Sequence, residues 1–148
     1  MSSAEAQDTY APGTYTVIGL AKKSVVEFKH QYITPEHMLL GMIASNDPGV
    51  LQALSKANAT PEQIRSLLLH HMRPGDRTLV KEEQLTFSER AKHFIETAKQ
   101  EAQRSKSAQV SPQHLLVGLT LVTNTVCGAV LRAVGINTDN ARGTLGGT

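Results

Sequence analysis

Cysteine occurs once in the chain, tryptophan not at all, and aromatic residues make up only 4% of the 148 positions. The lone Cys127 excludes an internal disulfide and any cysteine-built metal cage, and points to a reducing compartment. With so few rings, an interior has to be filled by Leu, Val, Ile, Ala and Met, which favours packed helices. Charge of one sign is scarce too: 15 Lys and Arg against 13 Asp and Glu leave +2, dispersed along the chain. That falls short of the dense basic patch nucleic-acid binding rests on, so Lys22, Lys23, Lys29, Lys99, Arg104 and Lys106 read as a solvated face. No apolar run reaches membrane-spanning length. The opening MSSAEAQDTYAPG has neither the apolar core of a secretory signal nor the Arg-rich character of a transit peptide. The expectation is a cytoplasmic protein whose residues 1–9 are disordered.

Catalytic signatures are also missing. There is no GxxxxGK[ST] phosphate loop and no HExxH, so neither a P-loop ATPase nor a zinc protease is written here. His70 and His71 are adjacent, and adjacent helical positions do not face each other, which argues against a shared metal. No metal, no cofactor and no enzyme activity are expected.

What is present is a repeat. Sliding the chain against itself by 77 positions aligns two halves without a gap. Pro35, His37, Leu39 and Gly41 meet Pro112, His114, Leu116 and Gly118; Ala21, Lys22 and Lys29 meet Ala98, Lys99 and Lys106. A duplicated structural unit is the economical explanation. The units are expected at residues 10–72 and 86–145, joined by a charged connection at 73–85 that contains the turn pair Pro74-Gly75.

Each unit reads as four helices, giving an all-α, eight-helix domain with two pseudo-symmetric halves. The first helix carries Val17, Leu20, Ala21, Val25 and Phe28 at helical spacing in one copy, and Phe94, Ile95, Ala98 and Ala102 in the other, where Thr86 to Glu89 can form a capping box. The second helix opens with a cap and a proline, Thr34-Pro35 or Ser111-Pro112. The third is expected over roughly 49–57 and 124–134. The fourth runs from the Thr60 cap to about Met72, and its copy should be short, because Gly143, Gly146 and Gly147 each weaken a helix by about 1 kcal/mol relative to Ala.

Glu36 and His37 sit together in the first turn of the second helix. His recurs in both units and the acid does not, so His37 and His114 read as scaffold and Glu36 as a site residue, exposed and free to meet a cation on a partner. Met38, Leu39, Met42 and Ile43 are expected in the core, with Cys127 as a small core filler.

The segments F87-S-E-R-A-K-H-F-I-E-T-A-K-Q-E-A102 and I33-T-P-E-H-M-L-L-G-M-I43, in two gapless copies, resemble the double Clp N-terminal repeat that begins ClpC-type AAA+ unfoldases. The resemblance covers about Tyr10 to Leu145. It implies an all-helical, non-catalytic module that recruits substrate or adaptor proteins to a Clp ATPase ring and its peptidase. It also implies that a unit can hold a phosphoarginine-tagged ligand, the motif's glutamate meeting the guanidinium. The implied binding residues are Glu36, Thr34 and Gln113, though the amide of Gln113 lacks the charge that pairs bidentately with a guanidinium. Tyr10 to Thr14 departs from the Phe87 to Ala91 pattern, so the first helix is expected to begin late. With no ATPase module after the repeats in this sequence, either an excised domain or a natural stand-alone protein is expected, and the Met1 start with a Gly-rich end favours the second. The alternative is an accessory subunit, similar to the ClpT proteins, that docks on and stabilises a Clp protease complex.

Overall fold

Pro12, Pro35, Pro48, Pro61 and Pro112, five of the six prolines, each stand in the first turn of a helix. There the missing N–H is one that no helix bond would use, and the ring presets φ. The computed structural model describes residues 9–77, 81–122 and 125–143. These residues form α1 (Pro12–Glu27), α2 (Pro35–Ala44), α3 (Pro48–Lys56), α4 (Pro61–His71), α5 (Glu89–Arg104), α6 (Pro112–Leu121), α7 (Val126–Ala133) and α8 (Thr138–Arg142), with one 3-10 turn at Glu82–Gln84. No strand occurs among the described residues, and the fold is all-α. Of the tail expected to be disordered, residues 1–9, positions 1–8 lie outside the described residues, while the Thr9 carbonyl accepts from Val110 N–H at 2.8 Å.

The repeat seen in the sequence is a repeat of backbone geometry. Moving α1 and α2 by 77 positions gives the bounds of α5 and α6. Lys29 and Lys106 both take the left-handed conformation after their helices (φ 60° and 59°), as do Asn58 and its counterpart Gly135 (φ 55° and 85°). At each of these four turns the chain closes with the bond pair of a Schellman ending, for example Lys29 N–H to Val26 O and His30 N–H to Val25 O. Gly41 and Gly118 permit α1 and α5 to lie against α2 and α6: a Cβ on Gly41 would stand 2.5 Å from the Val17 carbonyl oxygen, and one on Gly118 3.1 Å from that of Phe94. Val17 and Phe94 are themselves 77 apart.

Two expectations about helix starts are corrected. α1 does not begin late; it starts at Pro12, the position matching Glu89. Ala11 supplies no side-chain cap, and the start is held from the other unit instead. The Ala11 N–H donates to Val110 O at 3.0 Å and the Thr14 hydroxyl to the same oxygen at 2.7 Å. On α5 the cap is Ser88, whose hydroxyl accepts from Ala91 N–H at 3.1 Å, and not Thr86. The Thr86 carbonyl accepts from Ile33 N–H at 2.9 Å.

Those bonds belong to two isolated parallel bridges, Tyr10 with Val110 and Ile33 with Phe87. One is the other moved by 77 positions with the partners exchanged. The opening segment of each unit therefore pairs with the entry to the second helix of the other. The exchange continues in the packing, where α3 lies against α6 and α8, and α4 against α7. The two units share one interior, with Val17, Met38, Leu39, Met42, Phe94, Leu115, Leu116 and Leu131 all withdrawn from solvent. Ile43 and Cys127 are buried with them, as expected.

Candidate functional site

The start of α2 is built by an imidazole. The Thr34 hydroxyl accepts from His37 N–H at 3.4 Å, and the Thr34 N–H donates to His37 Nδ1 at 3.0 Å, a capping box with histidine where Glu or Gln is usual. Because Nδ1 accepts, the neutral ring carries its proton on Nε2. That N–H points at His30 Nδ1, 2.8 Å away, and His30 Nε2–H in turn meets the Arg73 carbonyl at 2.6 Å. Burial, reinforced by the neighbouring His30, lowers the His37 pKa to about 4, so the ring is held neutral. His114 repeats the device in α6, with Nδ1 accepting from Ser111 N–H at 2.9 Å and Nε2 set against Ser105 Oγ at 3.0 Å. Burial lowers its pKa as well. Both histidines are helix-starting parts.

Glu36 stands one position earlier in the same first turn. It was expected to be exposed, and it is not: its side chain keeps 10% of its accessible surface. The start of α7 and the opening of α5 are laid over it by the second unit. Arg90 Nη2 lies 3.7 Å from Glu36 Oε1, too long for a hydrogen bond, on a side chain that remains 59% exposed. Glu36 Oε2 is buried and has no hydrogen-bond partner among the described residues. A cavity of about 280 Å³ opens beside it, with His30, His37 and Thr34 on one side and His71, Arg73 and Arg90 around the rest. A buried carboxylate oxygen without a donor is costly unless a cation or donor reaches it.

Gln113, the counterpart of Glu36, is spoken for. Its side-chain N–H groups donate to the carbonyls of Ala141 at 2.9 Å and Arg142 at 3.0 Å, which are the last carbonyls of the short α8. In the first unit α4 runs on to His71, so the equivalent carbonyls of Ile64 and Arg65 lie inside a helix and need no such donor. An amide is required where the fourth helix stops early, and an acid is tolerated where it continues. Of the three sequence-derived site residues, Glu36 and Thr34 line one cavity, while Gln113 lies apart from it and closes a helix end.

His30, Arg73 and Arg90 were not foreseen as cavity residues. A signal for Arg90 was present, because its counterpart in the first unit is Gly13. The acid and the arginine are thus a pair of differences between the two copies, as are Gln113 and Gly13, which lies against Pro112. His70 and His71, expected to point apart, meet edge to face with ring centroids 5.6 Å apart. No group of three or more metal-ligating side chains occurs among the described residues. Burial raises the pKa of the Cys127 thiol well above its usual value, with a further push from the nearby Glu36 charge. No single helix among the described residues is long and apolar enough to cross a membrane.

The family model for the Clp repeat (R) N-terminal domain matches residues 12–134. The chain belongs to the Clp repeat family. Among curated proteins it is 26% identical over 126 residues to the negative regulator of genetic competence ClpC/MecB of Bacillus subtilis, covering 85% of this chain and 15% of that protein. It is 25% identical over 126 residues to the chaperone protein ClpB of Oceanobacillus iheyensis, with the same coverage. The chain therefore spans about 15% of the length of these Clp relatives. In three dimensions it resembles the N-terminal domain of the chaperone ClpD from Arabidopsis thaliana, with a TM-score of 0.71 at 22% identity over 90% of this chain and 92% of that one. The Hsp104 N-terminal domain from Candida albicans is similar at a TM-score of 0.68 and 15% identity, over 90% and 86% of the two chains. At these identities the structural likeness carries the Clp repeat fold and nothing more.

Proposed function

We propose that this Clp repeat domain is a non-catalytic protein-binding module of the Clp system, which captures adaptor or substrate proteins for an AAA+ unfoldase. The observation that carries the reading is the cavity at Glu36, with a buried carboxylate oxygen that no donor in the chain satisfies. A cationic side chain of a bound protein is the ligand such an oxygen calls for. The cavity wall carries both signs, Glu36 within and Arg73 and Arg90 at the rim. That set fits a phosphoarginine, whose guanidinium would approach Glu36 while Arg90, exposed and without a hydrogen bond to the carboxylate, turns to the phosphoryl oxygens. Gln113 offers no such site in the second unit, since its amide is engaged at the end of α8. A second, shallower groove of about 660 Å³ runs between the units, with Glu62 and Leu67 on one side and Val134 on the other, and gives a bound chain room to continue.

The alternative function, an accessory subunit docked on a Clp peptidase, makes a different prediction. Affinity capture with the wild-type domain should enrich a Clp ATPase, an adaptor or degradation-prone proteins, and Glu36→Ala should lose the last two. Co-migration with peptidase subunits and no ATPase would select the accessory reading. Enrichment of none of these would count against both.

A further inference from the structure

The two units differ at a second place, and there the second unit displays what the first lacks. In the second unit Glu101 on α5 is buried, with 3% of its surface exposed, and its carboxylate is gripped by two arginines. Arg142 from α8 donates through Nε at 3.0 Å and Nη2 at 3.1 Å, one bond to each oxygen, and Arg104 adds Nη2 at 2.7 Å. Burial alone would raise the Glu101 pKa, but the bonds from Arg104 and Arg142 outweigh it and hold the carboxyl below its usual value. Counting back 77 positions, Glu101 becomes Ser24, Arg104 becomes Glu27 and Arg142 becomes Arg65. The carboxylate has been removed and the Arg142-type cation kept.

The space that the missing carboxylate would fill is open. A cavity of about 160 Å³ lies between α1, α2 and α4, floored by Leu20 and Leu40 and edged by Lys23, Ser24, Glu27 and Arg65. The volume is several times that of a water molecule in the liquid, roughly 30 Å³, and admits a group the size of a glutamate side-chain end. Arg65 makes no ion pair within 4 Å among the described residues, and the Ser24 hydroxyl is turned inward to the Ala21 carbonyl at 2.8 Å. Lys23 adds a second cation, and Glu27 is exposed and can extend into water.

We infer that this cavity is a carboxylate-binding site of the first unit, in which an incoming carboxylate takes the place that Glu101 fills in the second. The guanidinium of Arg65 is its principal partner, as that of Arg142 is for Glu101, with Lys23 beside it. The inference stands apart from the Glu36 cavity and does not rest on it. The carboxylate can come from a small dicarboxylic acid or from an acidic side chain of a bound protein, and the two sources are separable.

The test is an NMR titration of the whole chain with three probes: glutarate, a terminally blocked tripeptide with a central glutamate, and the same tripeptide with glutamine. Saturable shifts of the Ser24 amide and the Arg65 Nε–H are expected from carboxylate probes and not from the glutamine peptide. Saturation by glutarate alone identifies a small acid as the ligand; tighter saturation by the glutamate peptide identifies a protein side chain. Arg65→Met, a change at an exposed side chain, should weaken binding about tenfold or more, the effect of losing a hydrogen-bonded charge. The double substitution S24E, E27R rebuilds the arrangement of the second unit. It should abolish saturation and shift the Arg65 Nε–H with no probe added. Absence of saturable shifts from both carboxylate probes, or equal affinity in Arg65→Met, would overturn the site.

Discussion

At the scale of single residues, the domain depends on two imidazoles being neutral. His37 Nδ1 accepts a backbone N–H and its Nε2–H is donated onward to His30, so an added proton has no acceptor to meet. The sign of the pH effect follows. The folded pKa of about 4 lies below the ordinary value of 6.5, so the unfolded chain takes up the proton first as pH falls. The stability contributed by a neutral His37 is fully present above about pH 6.5, is lost progressively down to about pH 4, and falls no further below that. The loss should be at most about 3 kcal/mol, taking 1.36 kcal/mol per pKa unit. His114 acts in the same direction. Denaturant unfolding across this range should show the decline, and H37Q, H114Q, which keeps an acceptor for each capping N–H, should flatten it. A decline unchanged in the double variant would place the titration elsewhere. The scaffold role of these histidines was legible because they are written twice. The burial of Glu36 was not, since nothing in its own helix reveals that α5 and α7 of the other unit lie over it.

Among the elements, the starts were easier to read than the ends. Prolines and caps at Thr34, Thr60 and Ser111 announce α2, α4 and α6, and these caps accept the expected backbone N–H groups. α1 escaped because its anchor, the Val110 carbonyl, is 96 positions away from Thr14. The early stop of α8 was legible in Gly143, which follows its last residue, while Gly146 and Gly147 lie outside the described residues; the consequence for Gln113 was not legible. That consequence makes a prediction. Gln113→Glu restores the repeat motif yet places a carboxylate against the carbonyls of Ala141 and Arg142, which lose both their donors. It should destabilise the domain by roughly 1–3 kcal/mol and raise amide exchange in α8. An unchanged melting temperature would show that the amide does not hold this helix end.

On the scale of the whole molecule, the repeat of 77 positions predicted two halves but not their interlocking. A sequence shows which segments are copies, whereas the exchange of partners at Tyr10–Val110 and Ile33–Phe87 is a property of how the copies dock. The first unit leaves part of its packing surface to be covered by the second, with α4 against α7 and α3 against α8. The boundaries read from the sequence, 10–72 and 86–145 within one domain, mark the two copies, and with packing shared in this way neither copy is expected to fold alone. A fragment ending at Arg77 should show no cooperative urea transition by circular dichroism, while the whole chain shows one. A cooperative fragment transition would contradict the shared interior. Docking of the halves also creates the proposed binding site, since Glu36 comes from one copy and Arg90 from the other. The most direct measurement is calorimetric titration of the whole domain with a phosphoarginine peptide and with its unphosphorylated twin. Saturable heat with the phosphorylated peptide, lost in Glu36→Ala while that variant keeps its cooperative unfolding, is the predicted result. No heat from the wild type, or the same heat from Glu36→Ala, would contradict the assignment of Glu36 as the cation-recognising residue.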